Sequence, residues 1–220
     1  YNKLEKIASI CRQIANSTNA QLVLHLDHGA SYEQVIQCLR NGFTSVMIDG
    51  SRLPLKENIR VTKEVTRAAH TVGVSVEAEL GAIGGTEDGM TAKANLVNVD
   101  DARCFLEEVT VEALAIGIGN AHGIYKSTPN LAFDRLEQVA ALGGPALVLH
   151  GGSGIPDDMI RKAIVMGIRK INVATEVRLA FLEGFGLEVN SKDIYKAYQS
   201  AQAHARKIIS DKMSLFDTTK

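Results

Sequence analysis

The chain has 220 residues and a formal net charge of −1, with 45% hydrophobic and 22% charged residues. This composition is ordinary for a folded globular protein and predicts neither nucleic acid nor a membrane surface as a partner. No apolar run approaches the roughly 18 residues that a membrane-spanning helix needs. The three cysteines, an odd number, lie in predicted helices. They indicate free thiols in a reducing compartment, so we expect a cytoplasmic protein.

An amphipathic helical pattern opens the chain in residues 1–17, and six apolar segments follow it as predicted buried strands. These strands cover residues 21–27, 45–49, 74–80, 113–119, 146–150 and 170–174. A helical pattern comes after each strand, which is typical of repeated βα units and a parallel sheet. Polar residues gather at the carboxyl ends of all six strands, and only a closed sheet brings six strand ends around one centre. The sequence therefore predicts one α/β domain, residues 1–220, with a TIM (β/α)8 barrel.

Three histidines occupy equivalent positions, each at the end of an apolar run and just before glycine: His28, His122 and His150. Parallel strands that deliver three imidazoles from the same ends bring them to one point. Three histidines with an open fourth position make a catalytic zinc site, although any one of them could be a hydrogen-bonded core or loop histidine. The other histidines lack this context and are interpreted as structural: His25, His70 and His204.

Carboxylates accompany the histidines on the predicted strands. Asp27 directly precedes His28, and beside a dication it would act as a general acid and base or as a partner that orients an imidazole. Glu77 and Glu79 share one face of their strand, and because buried carboxylates need partners, we expect them to meet cations or a metal. Asp49 ends its own strand and would either join Glu79 around a second metal position or cap a turn.

Two glycine-rich stretches complete the candidate site. The stretch Gly151, Gly152, Ser153, Gly154 lets the backbone approach an anion at a helix start, and residues 172–175 after the next strand close the same pocket. Phosphate sites of βα barrels often lie after the last two strands. Residues 81–90 form a glycine-rich loop that is either a plain surface loop or a mobile lid carrying Glu87 into the site for proton transfer.

Six stretches in this order resemble the class II, metal-dependent ketose-bisphosphate aldolases, the family of the fructose- and tagatose-bisphosphate aldolases. The stretches are HLDHG, FTSVMIDGS, SVEAELGAIGGTEDG, GNAHGIYKSTPNLAF, LVLHGGSGIPDD and KINVATE, and they lie between residues 20 and 180. The resemblance implies a (β/α)8 barrel that reversibly splits a ketose 1,6-bisphosphate into dihydroxyacetone phosphate and glyceraldehyde 3-phosphate. It also implies a phosphorylated sugar as the partner and a homo-oligomer, a dimer or a tetramer, to which the long C-terminal helices would contribute a contact.

The resemblance implies a role for each matching residue. Zn2+ would be held by His28, His122 and His150, with Asp49 and Glu79 forming an alternative metal position. Asp27 would exchange a proton with the C4 oxygen and Glu87 with the nucleophilic carbon. Dihydroxyacetone phosphate would contact Gly123, Gly151, Gly152, Ser153, Asn172, Val173, Ala174 and Thr175, with Asn172 near the reacting carbons and a monovalent cation near the phosphate.

The chemistry of carbon–carbon cleavage agrees with a metal. Cleavage beside a carbonyl leaves an enediolate, whose charge is stabilised either by a metal or by a lysine imine. The only candidate lysine, Lys170, is predicted near the N-terminal end of its strand, away from the site. The metal-dependent mechanism is therefore favoured over the imine.

Three departures from the family pattern keep alternatives open. Members of the family normally have two βα units before HLDHG, and one of these units supplies a phosphate-binding serine. This chain has no counterpart of the two units, so we expect about six units. The chain is therefore interpreted as a fragment. The connection after Met90 is short, and Ala174 replaces a frequent aspartate, as in the tagatose branch. A metal-dependent barrel hydrolase is one alternative, although Asn172 stands where that class needs a carboxylate. A non-catalytic accessory subunit is another, and a deoxy-inositol catabolic substrate is a third possibility.

Overall fold

The computed structural model describes residues 3–87, 90–92 and 95–217. Within these residues the chain forms nine strands and eight α-helices. The strands are β1 (His25–Gly29), β2 (Ser45–Ile48), β3 (Ser75–Leu80), β4 (Gly84–Glu87), β5 (Met90–Ala92), β6 (Ala113–Ile116), β7 (Ala121–His122), β8 (Ala146–Leu149) and β9 (Ile168–Ile171). The helices are α1 (Lys3–Asn16), α2 (Tyr32–Arg40), α3 (Leu55–Thr71), α4 (Val99–Glu108), α5 (Phe133–Ala140), α6 (Asp157–Val165), α7 (Thr175–Leu187) and α8 (Ile194–Phe216), with a 3-10 turn at Val189–Ser191. None of the helices in this described part is both long and apolar enough to cross a bilayer.

The main sheet has six parallel strands in the order β1-β2-β3-β6-β8-β9. One helix connects each strand to the next: α2, α3, α4, α5 and α6 in turn. This confirms the α/β class and the six βα units. The sheet curls like part of a barrel, and β1 and β9 form its two edges within the described residues. A small second sheet, β5-β4-β7, lies at the carboxyl ends of the strands.

The first and last strands differ from the predicted boundaries. The first begins at His25 rather than at residue 21, and Leu22 and Val23 are 52% and 69% exposed, so apolar character alone overestimated the strand. It extends through Gly29, which places His28 inside the strand. The last strand begins at Ile168, directly after Gly167 with its φ of +123°. The glycine-rich stretch after β3 contributes the hairpin β4–β5 instead of an irregular loop.

The two faces of the sheet carry different side chains, as the period of two predicts. On β3, Val76, Ala78 and Leu80 pack into the main hydrophobic core between the sheet and the helices. Glu77 and Glu79 point to the opposite face and are nonetheless buried. On that inner face the apolar side chains form only a small cluster of Met47, Ala115 and Val148, with Ala113 packed against it. The inner face therefore carries buried polar groups, among them Ser45, Glu77 and Glu79.

Side-chain caps fix the starts of three helices, two of which connect strands. Ser31 Oγ accepts from the N–H of Gln34 at the start of α2, and Asn98 and Asp193 cap α4 and α8 in the same way. Each such cap stabilises a fold by about 1 kcal/mol. The caps satisfy backbone N–H groups in the first turns of these helices.

Candidate functional site

Three histidines converge at the carboxyl ends of the strands. His28 lies in β1, His122 ends β7, and His150 directly follows β8. Their ring centroids are 4.7 to 5.8 Å apart, and one nitrogen from each ring lies within 4.8 Å of the other two. His150 Nδ1 lies 3.0 Å from His28 Nε2. The structure thus brings together the three imidazoles that the sequence singles out.

The donor set fits a tetrahedral divalent metal. In a tetrahedral site, ligand nitrogens at about 2.0–2.1 Å from zinc lie about 3.3 Å from one another, which is close to the 3.0 Å between His150 Nδ1 and His28 Nε2. Carboxylates fix the ring orientations, because Asp49 Oδ2 lies 2.9 Å from His28 Nδ1 and Glu77 Oε1 lies 2.8 Å from His150 Nε2. The nitrogens that then face each other are both acceptors. Two such lone pairs at 3.0 Å favour a cation between them, either a proton or a metal.

Asp49 and Glu79 flank His28 from the other side. Asp49 also accepts hydrogen bonds from the backbone N–H and the hydroxyl of Ser51. Burial opposes ionisation of Asp49, but the hydrogen bonds from His28 and Ser51 lower its pKa to about 2. Burial and the charge of Asp49 raise the pKa of Glu79 to about 8. With His28 these two carboxylates form a second set of donor atoms within 4.8 Å of one another.

The electrostatics of His28 follow from the same neighbours. Burial lowers its pKa, but the hydrogen bond to Asp49 and the charges of Glu79 and Asp27 outweigh burial and raise the pKa to about 9. The His28 backbone has a φ of +44°, which is uncommon for a residue other than glycine. This geometry turns the His28 ring toward both Asp49 and His150.

A third cluster on the inner face already holds a cation. Glu77 Oε2 lies 2.6 Å from Lys170 Nζ and 3.7 Å from His25 Nε2. Burial opposes ionisation of Glu77, yet its contacts with His150 and Lys170 lower its pKa to about 2. His25, Asp27 and Glu77 offer donor atoms within 4.8 Å of one another. Because the Lys170 ammonium binds Glu77 directly, this cluster is an ion pair and not a metal site.

The structure places Lys170 elsewhere than the sequence predicted, and it brings His25 to the cavity as well. Lys170 was expected at the N-terminal end of its strand, away from the site, but β9 begins at Ile168, so Lys170 lies in the middle of the strand and lines the cavity. His25 was interpreted as structural, and it also lines the cavity while its Nδ1 contacts Ser45 Oγ at 2.8 Å. The position of His25 two residues before Asp27, on the same strand face, was the available signal.

A cavity of about 290 Å³ adjoins the histidines at the same edge of the sheet. Its lining includes the predicted phosphate-binding residues together with the ion-pair cluster: His25, Asp27, His122, Gly123, Gly151, Ser153, Lys170, Asn172, Val173, Ala174 and Thr175. Gly152 is not part of this lining, but its N–H donates to the carbonyl of Asn172 at 2.9 Å and ties the two loops together. Asn172 Nδ2 lies 3.3 Å from both oxygens of Asp27, whose side chain is 44% exposed.

The loops that carry His122 and His150 are joined by Tyr125, which sequence reasoning missed. Its hydroxyl accepts from the N–H of Ala121 at 2.7 Å and donates to the carbonyl of Gly151 at 3.1 Å. Gly151 has a φ of +62°, and a Cβ there would lie 2.2 Å from the carbonyl oxygen of Ala121. Only glycine permits this approach of the two loops.

The predicted proton-transfer residue, Glu87, ends β4, but its side chain lies outside the part of the chain that the structure describes. The strand lies next to the candidate metal ligand His122, because Gly85 pairs with His122 across β4 and β7.

The sequence of the chain is similar to those of known proteins over most of its length. The chain matches the family "Fructose-bisphosphate aldolase class-II" over residues 1–220. It is 44% identical over 201 residues to a fructose-bisphosphate aldolase of Streptococcus pyogenes, covering 90% of this chain and 64% of that protein. It is 47% identical over 162 residues to the 6-phospho-5-dehydro-2-deoxy-D-gluconate aldolase of Bacillus subtilis, covering 74% of this chain and 56% of that protein.

Solved structures share the fold. The YdjI aldolase from Escherichia coli K12 has a TM-score of 0.87 and 31% identity, over 98% of this chain and 77% of that chain. A putative fructose-1,6-biphosphate aldolase from Coccidioides immitis has a TM-score of 0.86 and 27% identity, over 98% of this chain and 77% of that chain. This chain spans just under two thirds of the length of the streptococcal aldolase. By its sequence and its fold, the chain belongs to the class II fructose-bisphosphate aldolase family.

Proposed function

We propose that the chain carries the metal centre of a zinc-dependent aldolase that reversibly cleaves fructose or tagatose 1,6-bisphosphate. The products would be dihydroxyacetone phosphate and glyceraldehyde 3-phosphate. The observation that carries the proposal is the convergence of His28, His122 and His150 beside a cavity that also holds Asp27 and Asn172. When bound to the three imidazoles, zinc would polarise the ketose oxygens and stabilise the enediolate charge.

Asp27 is proposed as the group that moves the proton of the C4 hydroxyl. In the cleavage direction its carboxylate accepts that proton while the C3–C4 bond breaks and the bonding electrons pass to the enediolate. Glu87 then returns a proton to the nucleophilic carbon. Asn172, whose amide lies 3.3 Å from the Asp27 oxygens, holds the carboxylate toward the cavity and contacts the reacting carbons.

The phosphate of the substrate is proposed to bind at the other end of the cavity. The 13-residue helix α7 starts at Thr175, so its first N–H groups and its positive dipole end face this region. Ser153 and Thr175 both line the cavity, and the Ser153 hydroxyl contacts the N–H of Glu176 at 3.3 Å. A monovalent cation near the phosphate, which the family resemblance implies, belongs to the same proposal.

We propose the class of the substrate, a phosphorylated sugar, and not one particular sugar. Ala174 favours the tagatose type, and the relative from Bacillus subtilis is named for a phosphorylated deoxy-gluconate. We also propose the homo-oligomeric state and the cytoplasmic location expected from the sequence. A second candidate, carried over from the sequence, is a non-catalytic accessory subunit. Zinc content and turnover of this chain by itself distinguish the two candidates.

Removal of metal tests the proposal directly. Chelation should abolish cleavage of fructose and tagatose bisphosphates, and zinc should restore it. The His150→Ala variant should lose zinc, whereas Asp27→Asn should keep zinc and lose turnover by roughly a hundredfold or more. The matched control is His204→Ala, because His204 lies on α8 and contacts the carbonyl of Ser200. Activity that persists after complete metal removal would contradict the mechanism.

A further inference from the structure

The buried ion pair of Glu77 and Lys170 has no role in the mechanism above. Glu77 lies on β3 and Lys170 on β9, on the inner face of the sheet. Glu77 is 1% exposed, and each of its two carboxylate oxygens has a partner. Oε2 accepts from Lys170 Nζ at 2.6 Å, and Oε1 lies 2.8 Å from His150 Nε2. The pair therefore reaches the candidate metal ligand from the side opposite to the other histidines.

The contact with Glu77 determines which nitrogen of His150 carries the proton. The His150 ring is fully buried, so Nε2 cannot turn to water instead. An ionised carboxylate at 2.8 Å accepts a hydrogen bond, so Nε2 carries the hydrogen and Nδ1 keeps its lone pair. Nδ1 is the atom that lies 3.0 Å from His28 Nε2, at the centre of the histidine trio.

We propose that Glu77 and Lys170 are positioning residues that hold His150 in the tautomer whose Nδ1 binds the metal. The inference rests on the proposed function, since it concerns the same metal site. Glu77 acts through its Oε1 atom on the imidazole, and Lys170 acts through Glu77 by binding Oε2 and so keeping Oε1 directed at His150. Partners of this kind commonly change metal affinity by about 10–100-fold.

Asn172 is the competing partner of the same nitrogen. Its Nδ2 atom lies 3.3 Å from His150 Nε2, and an amide that donates there would require the opposite tautomer. The carboxylate is closer and charged, and the amide has an alternative acceptor in Asp27 at 3.3 Å. Glu77 is therefore expected to determine the tautomer of His150 rather than Asn172. Because the two partners require opposite tautomers, a direct measurement of the tautomer distinguishes them.

The tautomer is measured on the metal-free wild-type chain by long-range nitrogen–hydrogen NMR of its histidine rings. Loss of one signal set in His150→Gln assigns the spectrum. The proposal expects His150 to carry its hydrogen on Nε2, and a hydrogen on Nδ1 overturns it. This measurement requires neither bound metal nor activity, so it stands even if the Glu77 variants do not fold.

Zinc affinity, measured by competition with a chromophoric chelator, provides the second test. Glu77→Gln should weaken zinc binding by about tenfold or more, because the amide can donate to Nε2 and stabilise the non-binding tautomer. Lys170→Met should weaken it by a smaller factor, since Oε1 can still reach His150. Affinities within twofold of the wild type in both variants overturn the proposal.

The matched control is Glu112→Gln. Glu112 accepts the N–H of Val76, the residue before Glu77, and contacts His70 rather than the trio. It should lower stability without changing the His150 tautomer or the zinc affinity. If His122→Ala does not weaken zinc binding, the proposed function fails. If His122→Ala weakens zinc binding but Glu77→Gln changes neither the zinc affinity nor the His150 tautomer, only the positioning role of Glu77 fails.

Discussion

The pair of His28 and Asp49 predicts how the metal-free protein responds to pH. Their hydrogen bond of 2.9 Å, with the charge of Glu79 nearby, raises the pKa of His28 from 6.5 to about 9 despite burial. A raised histidine pKa stabilises the fold fully below pH 6.5, and this contribution is lost as the pH rises through 9. The shift corresponds to about 3 kcal/mol of unfolding free energy at 1.36 kcal/mol per pKa unit.

Glu79 changes stability in the same direction. Its pKa is raised from 4.5 to about 8, so the unfolded chain ionises this carboxyl group more readily than the folded chain does. Stability therefore falls between pH 4.5 and 8. The lowered pKa of Asp49, about 2, stabilises the fold throughout this range and is lost only below pH 4. Together, the groups predict that the metal-free protein is more stable at pH 6 than at pH 9.

The assay is urea denaturation between pH 6 and 9 in the presence of a chelator. Asp49→Asn should flatten the dependence, because it removes the partner of His28 and one charge that raises the pKa of Glu79. His204→Asn, on α8, controls for the loss of a histidine side chain and its contact. Zinc should reverse the trend, since it needs the deprotonated imidazole. A metal-free stability that stays constant or rises toward pH 9 would refute this reasoning.

Three further predictions, the first with a matched control at Gly143, concern the scaffold of the site. Gly151→Ala should destabilise the protein by more than about 2 kcal/mol and weaken zinc binding, as measured by denaturation and chelator competition. Gly143→Ala should cost only about 1–2 kcal/mol and leave zinc affinity unchanged, because Gly143 also has a positive φ but nothing lies within 4 Å of a new Cβ. Tyr125→Phe should weaken zinc binding by more than its loss of folding stability accounts for, since the Tyr125 hydroxyl joins the loops that carry His122 and His150. A zinc affinity equal to that of the wild type would contradict that role. Ser31→Ala should cost about 1 kcal/mol with unchanged zinc affinity, and an altered affinity would show that α2 is coupled to the site.

The parallel sheet was predictable because each strand is an apolar run followed by a helical pattern. The boundaries of the strands were less predictable. The apolar residues Leu22 and Val23 continue the hydrophobic run but lie outside β1, since strand pairing with β2 begins only at His25. Composition does not report where a neighbouring strand begins. For the same reason the predicted start of β9 was too late. The strand begins at Ile168, and Lys170 therefore lies at the cavity.

The candidate site was predictable to the extent that its residues end strands. Asp27, His122 and His150 each stand where the carboxyl ends of parallel strands meet, so periodicity alone places them near one another. Tyr125 could not be found in this way, because its role depends on a loop that folds back onto Gly151. Contacts between side chains of distant strands, such as Lys170 with Glu77, depend on the curl of the sheet rather than on a local pattern.

The charges on the inner face predict that a metal bound there would also stabilise the fold. Asp49, Glu77 and Glu79 are carboxylates around the histidine trio, and Lys170 pairs directly with Glu77. Two negative charges remain when all three carboxylates are ionised and His28 is neutral, and the raised pKa of Glu79 is consistent with a cost of that state without a metal. A dication at the three imidazoles would offset both charges and lower the pKa of Glu79. Metal binding at the three imidazoles would therefore be coupled to folding stability through the same carboxylates.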